Sequence, residues 1–186
     1  MTDDQTGHGA AEPGDAVRQL DVLVGTWDVS GPDIRGRVRY EWLPGGFFLV
    51  QHVDMVHGGN CIRGMEVIGQ ERAFGAAEAD DEVTSRWYDD AGNTFRYVYE
   101  VDRDTLTIWG GERDSPAYYR GTFDADRTVN RGAWVFPEGG GYESTITRPT
   151  DSTVNVSQEC RSADAQIHWG VNLVCVRDGK IVEVLG

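Results

Sequence analysis

The chain has 186 residues, 39% of them apolar, with 17 basic against 31 acidic side chains and a formal net charge of −14. That length suits one domain with a modest core, and the acidic field repels phosphate backbones and anionic headgroups, which argues against nucleic acid and membrane surfaces as partners. No apolar run approaches the ~20 residues of a bilayer-spanning helix, and Cys61, Cys160 and Cys175 sit in no CxxC or metal-like spacing, so buried, reduced thiols in a cytoplasmic protein are expected.

Residues 1–14 are acidic, polar and rich in Gly and Ala, with neither the basic nor the apolar region of a signal peptide. They read as a disordered arm ahead of a single domain over 15–186. Asp15 is placed to cap a short helix whose Ala16, Val17, Leu20, Leu23 and Val24 share one face, and Gly25 stops it. From there the pattern has a two-residue period. In "IRGRVRYEW", Ile34, Gly36, Val38, Tyr40 and Trp42 fall on one face and Arg35, Arg37, Arg39 and Glu41 on the other. In "TFRYVYEV", Phe95, Tyr97, Tyr99 and Val101 oppose Thr94, Arg96, Val98 and Glu100. Turn signals such as "PGG" at 44–46, "HGGN" at 57–60, "DAGN" at 90–93 and "PEGGG" at 137–141 recur along the chain. The segments between them predict an all-β fold: one antiparallel barrel of about eight to ten strands, with the helix as a plug. Residues 73–82 form the longest loop, and "KIVEVL" reads as a last strand or an edge addition.

Motifs for chemistry are few. There is no Gly-x-Ser-x-Gly elbow and no nucleotide-binding glycine loop, and "DRD" and "DADRT" lack the central Gly and terminal Glu of a calcium loop. In "FFLVQHVDM", His52 shares a face with Phe48, Val50 and Asp54; were that face interior, His52 would be a candidate acid/base. His57 falls in a turn and His8 in the arm. Tyr119 alternates with Ala117, Gly121 and Phe123 and is a candidate to point inward. Arg86, Arg96, Arg120 and Arg131 each read as outer-face residues, and any one turned inward would be a hook for a carboxylate ligand.

The segments "LDVLVGTWDVSG", "GRVRYEWLPGGFFLVQHV", "RGMEVIGQE" and "YESTITR" resemble an uncharacterised bacterial family of lipocalin-like (calycin) domains. Gly25, Trp27, Tyr40, Trp42, Gly45, Gly46 and Gly69 carry the resemblance, which covers about residues 17–177. It implies a barrel around a cavity and no known reaction. A more distant resemblance is to the nitrobindins, haem-binding barrels that ligate iron through a His of the final strand. On that resemblance His168 in "QIHWGVNLVCVR" would be the haem ligand, with Gly170 leaving room for a flat molecule; Val29 stands where that group has a glycine.

The expected function is therefore non-covalent binding of a small apolar or amphipathic molecule, as a carrier or sensor rather than an enzyme. The candidate lining is Trp27, Tyr40, Trp42, Phe48, Trp87, Tyr97, Tyr99, Trp109 and Trp134, although these rings suit a filled core equally well. The alternatives are haem binding through His168 and an isomerase or cyclase with an interior acid/base such as His52. No cofactor is expected apart from that haem alternative, and no metal. A homodimer is compatible with each reading.

Overall fold

The structure, a computed structural model, describes residues 12–149 and, beyond them, the backbone of three strands within 166–185. The chain enters through a single α-turn, α1 (Asp15–Arg18), which tightens into a 3₁₀ turn over Gln19–Leu23. Asp15 is the first helical residue rather than the cap. Gly14 holds the cap position, without a side-chain hydrogen bond.

Ten strands follow: β1 (Gly25–Ser30), β2 (Ile34–Trp42), β3 (Phe48–His57), β4 (Asn60–Gln70), β5 (Val83–Asp89), β6 (Thr94–Asp102), β7 (Thr105–Gly110), β8 (Tyr118–Phe123), β9 (Val129–Val135) and β10 (Tyr142–Thr147). Each pairs antiparallel with its successor, and β1 pairs with β10 through Asp28↔Thr147 to Ser30↔Thr145, so the sheet closes. Closure leaves no edge strand in the ring. Between β3 and β4, Gly58 and Gly59 both take positive φ, the geometry of a tight two-residue hairpin loop.

The opening segment seals one end of the barrel. Val17, Leu20 and Leu23 are buried against Trp27, itself fully buried. At about 2 kcal/mol for each such side chain removed from water, the plug contributes substantially to stability. Its polar groups are matched as well. Trp27 Nε1 donates to Leu23 O at 2.7 Å. The Arg148 guanidinium lies 3.9 Å over the Trp27 ring and donates to Val22 O at 3.1 Å and to Val24 O.

The ring is complete with β10. The segment "QIHWGVNLVCVR" is not a single barrel strand. Its described backbone forms β11 (Gln166–Trp169) and β12 (Asn172–Arg177), and β13 (Lys180–Leu185) joins β12 in a separate three-stranded sheet. Cys61 on β4 is disulfide-bonded, which overturns the expectation of reduced thiols; oxidising compartments favour such a bond. No helix among the described residues is long and apolar enough to cross a membrane.

Candidate ligand-binding cavity

Directly opposed residues of an antiparallel pair share a face, so the register fixes which side chains point inward. On β2 the inner set is Ile34, Gly36, Val38 and Tyr40, as the alternation implied. Their partners on β3 are His57, Met55, Val53 and Gln51. Continuing round the ring, Glu66 opposes Gln51 and Trp87 opposes Glu66. On β5 and β6, Ser85 and Val83 oppose Tyr97 and Tyr99.

These inner faces enclose a cavity of about 900 Å³, open away from the plug. Tyr40, Trp87, Tyr97, Tyr99 and Trp134 line it, so the rings form a wall rather than a filled core. Tyr119 also lines it and lies 5.8 Å from Trp134, ring centre to ring centre.

The other four aromatic candidates lie elsewhere. Trp27 belongs to the sealed end. Trp42, at the end of β2, donates Nε1 to Asp21 Oδ1 at 2.9 Å and packs by the plug. Phe48 pairs with Gly69 on the outer face and is 40% exposed. Trp109 pairs with Val98 and Tyr118, also outside, under the Arg113 guanidinium at 4.9 Å.

The parity of β3 puts His52, a candidate only if its face were interior, on the outside. It opposes Arg39 and Met65 on the outer surface, and its Nε2 sits 3.0 Å from Glu41 Oε1. Arg86, Arg96, Arg120 and Arg131 share outward parity. Arg96 reaches the rim, where it pairs with Glu112 at 2.7 Å. None of the four is an interior anion hook. His168 stands on β11, outside the ring, and both its side chain and Gly170 lie outside the described residues. Of the two histidines with described side chains, only His57 borders the cavity, at its mouth, 4.2 Å from the Tyr142 ring. The described walls thus offer haem no interior histidine.

The sequence reading missed the cavity's main polar group. Glu66 is 3% exposed and carries no ion pair among the described residues. The Ser85 hydroxyl donates to its Oε1 and the Tyr99 hydroxyl to its Oε2, the latter at 2.9 Å. Gln51 Nε2 donates to Tyr40 Oη at 2.7 Å next to this pair. Burial pushes the Glu66 carboxyl up to about 7, against the pull of those two hydroxyls. Burial, with Glu66 nearby, also raises the phenols of Tyr40, Tyr97 and Tyr99, and burial pushes Tyr119 up to about 12. The tyrosines therefore stay neutral hydrogen-bonding groups over the ordinary pH range, while Glu66 changes charge within it. The signal was present in "NCIRGMEVIGQ": Glu66 shares parity with Ile62, Gly64 and Ile68. A lone acid on an apolar face is a buried acid.

Asn130 is fully buried beneath this region. It accepts from the Tyr119 hydroxyl at 2.6 Å, while its Nδ2 finds no partner among the described residues. No family model matches the chain, and no curated protein matches it as a relative.

Proposed function

We propose that the protein binds one small apolar or amphipathic molecule inside its barrel, as a carrier or sensor of the lipocalin-like kind. The observation that carries this reading is the cavity of about 900 Å³, walled by aromatic rings around one buried hydrogen-bonding cluster at Glu66. Cavities of several hundred cubic ångströms with apolar walls and a few convergent polar groups are the usual form of a small-molecule site. The sealed end supports the same reading, because the plug and Trp27 leave entry to one mouth.

N-phenyl-1-naphthylamine, an uncharged dye whose emission rises in apolar surroundings, tests it. Saturable binding of one dye per chain is expected. Ala117 lines the mouth, so Ala117→Trp blocks entry and weakens binding at least tenfold. Phe48→Ser, on the outer face, leaves it unchanged. Binding that ignores Ala117→Trp and follows Phe48→Ser would place the apolar site on the outer surface.

A second reading, an isomerase or cyclase, draws on the Glu66 carboxyl near 7, where both protonation states are populated. It moves the acid/base role from His52 to Glu66. It requires a substrate whose turnover is lost in Glu66→Gln while its binding persists.

A further inference from the structure

Among the described residues Glu66 has no cationic partner. It sits inside the barrel with two hydroxyl donors, Ser85 and Tyr99, both neutral. Buried carboxylates are normally paired, so the absence of a cation among the described residues around it is the feature to explain. The other charges bordering the cavity are Asp89, Asp90 and Glu138, against Arg63, Arg96 and His57. Both guanidiniums are engaged elsewhere: Arg63 with Asp54 at 3.3 Å, and Arg96 with Glu112 and Glu82. The mouth therefore leans acidic, within a chain of net charge −14. The cavity wall that holds Glu66 also carries Tyr40, Trp87, Phe95, Tyr97, Tyr99 and Trp134, and aromatic faces attract cations. Beside Glu66 a carboxylate ligand would meet no counter-charge among the described residues, since Arg86, Arg120 and Arg131 point outward and Arg63 and Arg96 are held in ion pairs at the rim.

We infer that the barrel is selective for a protonated organic amine with an aromatic or short apolar body, its ammonium pairing with Glu66 and its body against the ring wall. The inference rests on the proposed barrel-binding function and narrows it to one charge class. The acidic mouth raises the local concentration of such a cation, Glu66 supplies the missing counter-charge, and the rings stabilise both the charge and the body.

A proton balance follows. Below about 7 Glu66 is protonated, so seating an ammonium against the carboxylate expels that proton. Amine affinity then rises by about tenfold per pH unit between pH 5 and 7 and levels off above. The groups facing Glu66 do not titrate there: Tyr40 on β2, Gln51 on β3, Ser85 and Trp87 on β5, and Tyr97 and Tyr99 on β6. Across the cavity stand Ile108 on β7, Tyr119 on β8, Trp134 on β9 and Tyr142 on β10. His57, Asp89, Asp90 and Glu138 lie at the mouth and are the same in wild type and Glu66→Gln, so the difference between those two proteins isolates the carboxyl.

The test is competition against N-phenyl-1-naphthylamine by three probes of similar shape: 2-phenylethylamine, 2-phenylethanol and 3-phenylpropionate. At pH 7.5 the amine is expected to bind wild type at least tenfold more tightly than the alcohol, and the propionate least of the three. Glu66→Gln should abolish the amine's advantage over the alcohol and the pH dependence of amine binding. Alcohol or propionate equal to the amine in wild-type protein overturns the charge selectivity but leaves barrel binding standing, and this comparison needs no variant. An amine preference that survives Glu66→Gln overturns the role of Glu66. Failure of the dye and all three probes to bind overturns both readings.

Discussion

Replacing Glu66 with glutamine removes the one carboxyl buried among the described residues and isolates what its burial does to stability. The folded acid titrates near 7 and an unburied one near 4.5. Below about 4.5 folded and unfolded chains both hold the proton, and the contribution is fully present. Between about 4.5 and 7 only the folded chain holds it, so the unfolded state gains relative stability as pH rises. Above about 7 the contribution is lost. At ~1.4 kcal/mol per pH unit the whole displacement is worth about 3 kcal/mol, of which about 2.5 kcal/mol falls between pH 5 and pH 8. The substituted amide cannot ionise, and the remaining charges are common to both proteins. Urea unfolding of wild type and Glu66→Gln, with the disulfide intact, measures the difference at each pH. The stability of wild type minus that of Glu66→Gln should fall by about 2.5 kcal/mol from pH 5 to pH 8. That corresponds to roughly 5–10 °C in the relative melting temperature for a chain of this size. Curves that stay parallel within ~0.5 kcal/mol would refute the reasoning, because they would mean that Glu66 ionises in the folded protein as it does in water.

Arg148→Ala strips the cation from the Trp27 ring and leaves Val22 O and Val24 O without their donor; a loss of about 2–3 kcal/mol in urea unfolding is expected, with Arg148→Lys restoring only part of it. Gly64→Ala puts a methyl group into the Trp87 indole. The ring must move, at a cost of about 1–3 kcal/mol, and the tryptophan emission maximum shifts. His52→Ala, which breaks one exposed contact to Glu41, should change stability by less than ~0.5 kcal/mol and leave dye affinity intact; a tenfold loss of affinity would contradict the outward placement of His52.

The barrel was legible because a curled sheet writes its two faces into the chain as alternation. "IRGRVRYEW" and "TFRYVYEV" both alternate cleanly, and both took the predicted facing. "FFLVQHVDM" did not yield to the same method. Its two faces carry Phe48, Val50 and His52 against Leu49, Gln51 and Val53, both largely apolar, and the apolar outer surface of β3 and β4 hides the parity. Only pairing with the unambiguous β2 settles it, through Tyr40↔Gln51 and Val38↔Val53. Trp109 misled for a related reason. An indole under an arginine on the outer face is as buried, at 5% exposure, as one in the interior, and composition does not separate the two. The closing of the ring at β10 rests on the three-residue pairing of β1 with β10, a contact between chain segments more than a hundred residues apart that no local pattern encodes.

The open cavity has its own local cause, and it was in the sequence under another heading. Ten strands lined with large rings would fill their own interior unless the wall gave way somewhere. It gives way at glycines in mid-strand. Gly121 on β8 faces Gly132 on β9, and a Cβ on either would overlap the Tyr119 side chain. That ring therefore lies along the wall over the two glycines instead of projecting across the barrel, and its hydroxyl reaches Asn130. Gly64 does the same for the Trp87 indole. Glycine within a strand weakens the strand and marks a close approach by another group. Here the approaching groups are the chain's own aromatic side chains, and the space they vacate is the cavity. In "YYRGTF", "VNRGAWV" and "NCIRGMEVIGQ" each such glycine has inward parity and belongs to no turn. The aromatic count alone is compatible with a filled core and with a lined cavity; inward glycines opposite inward rings decide between them.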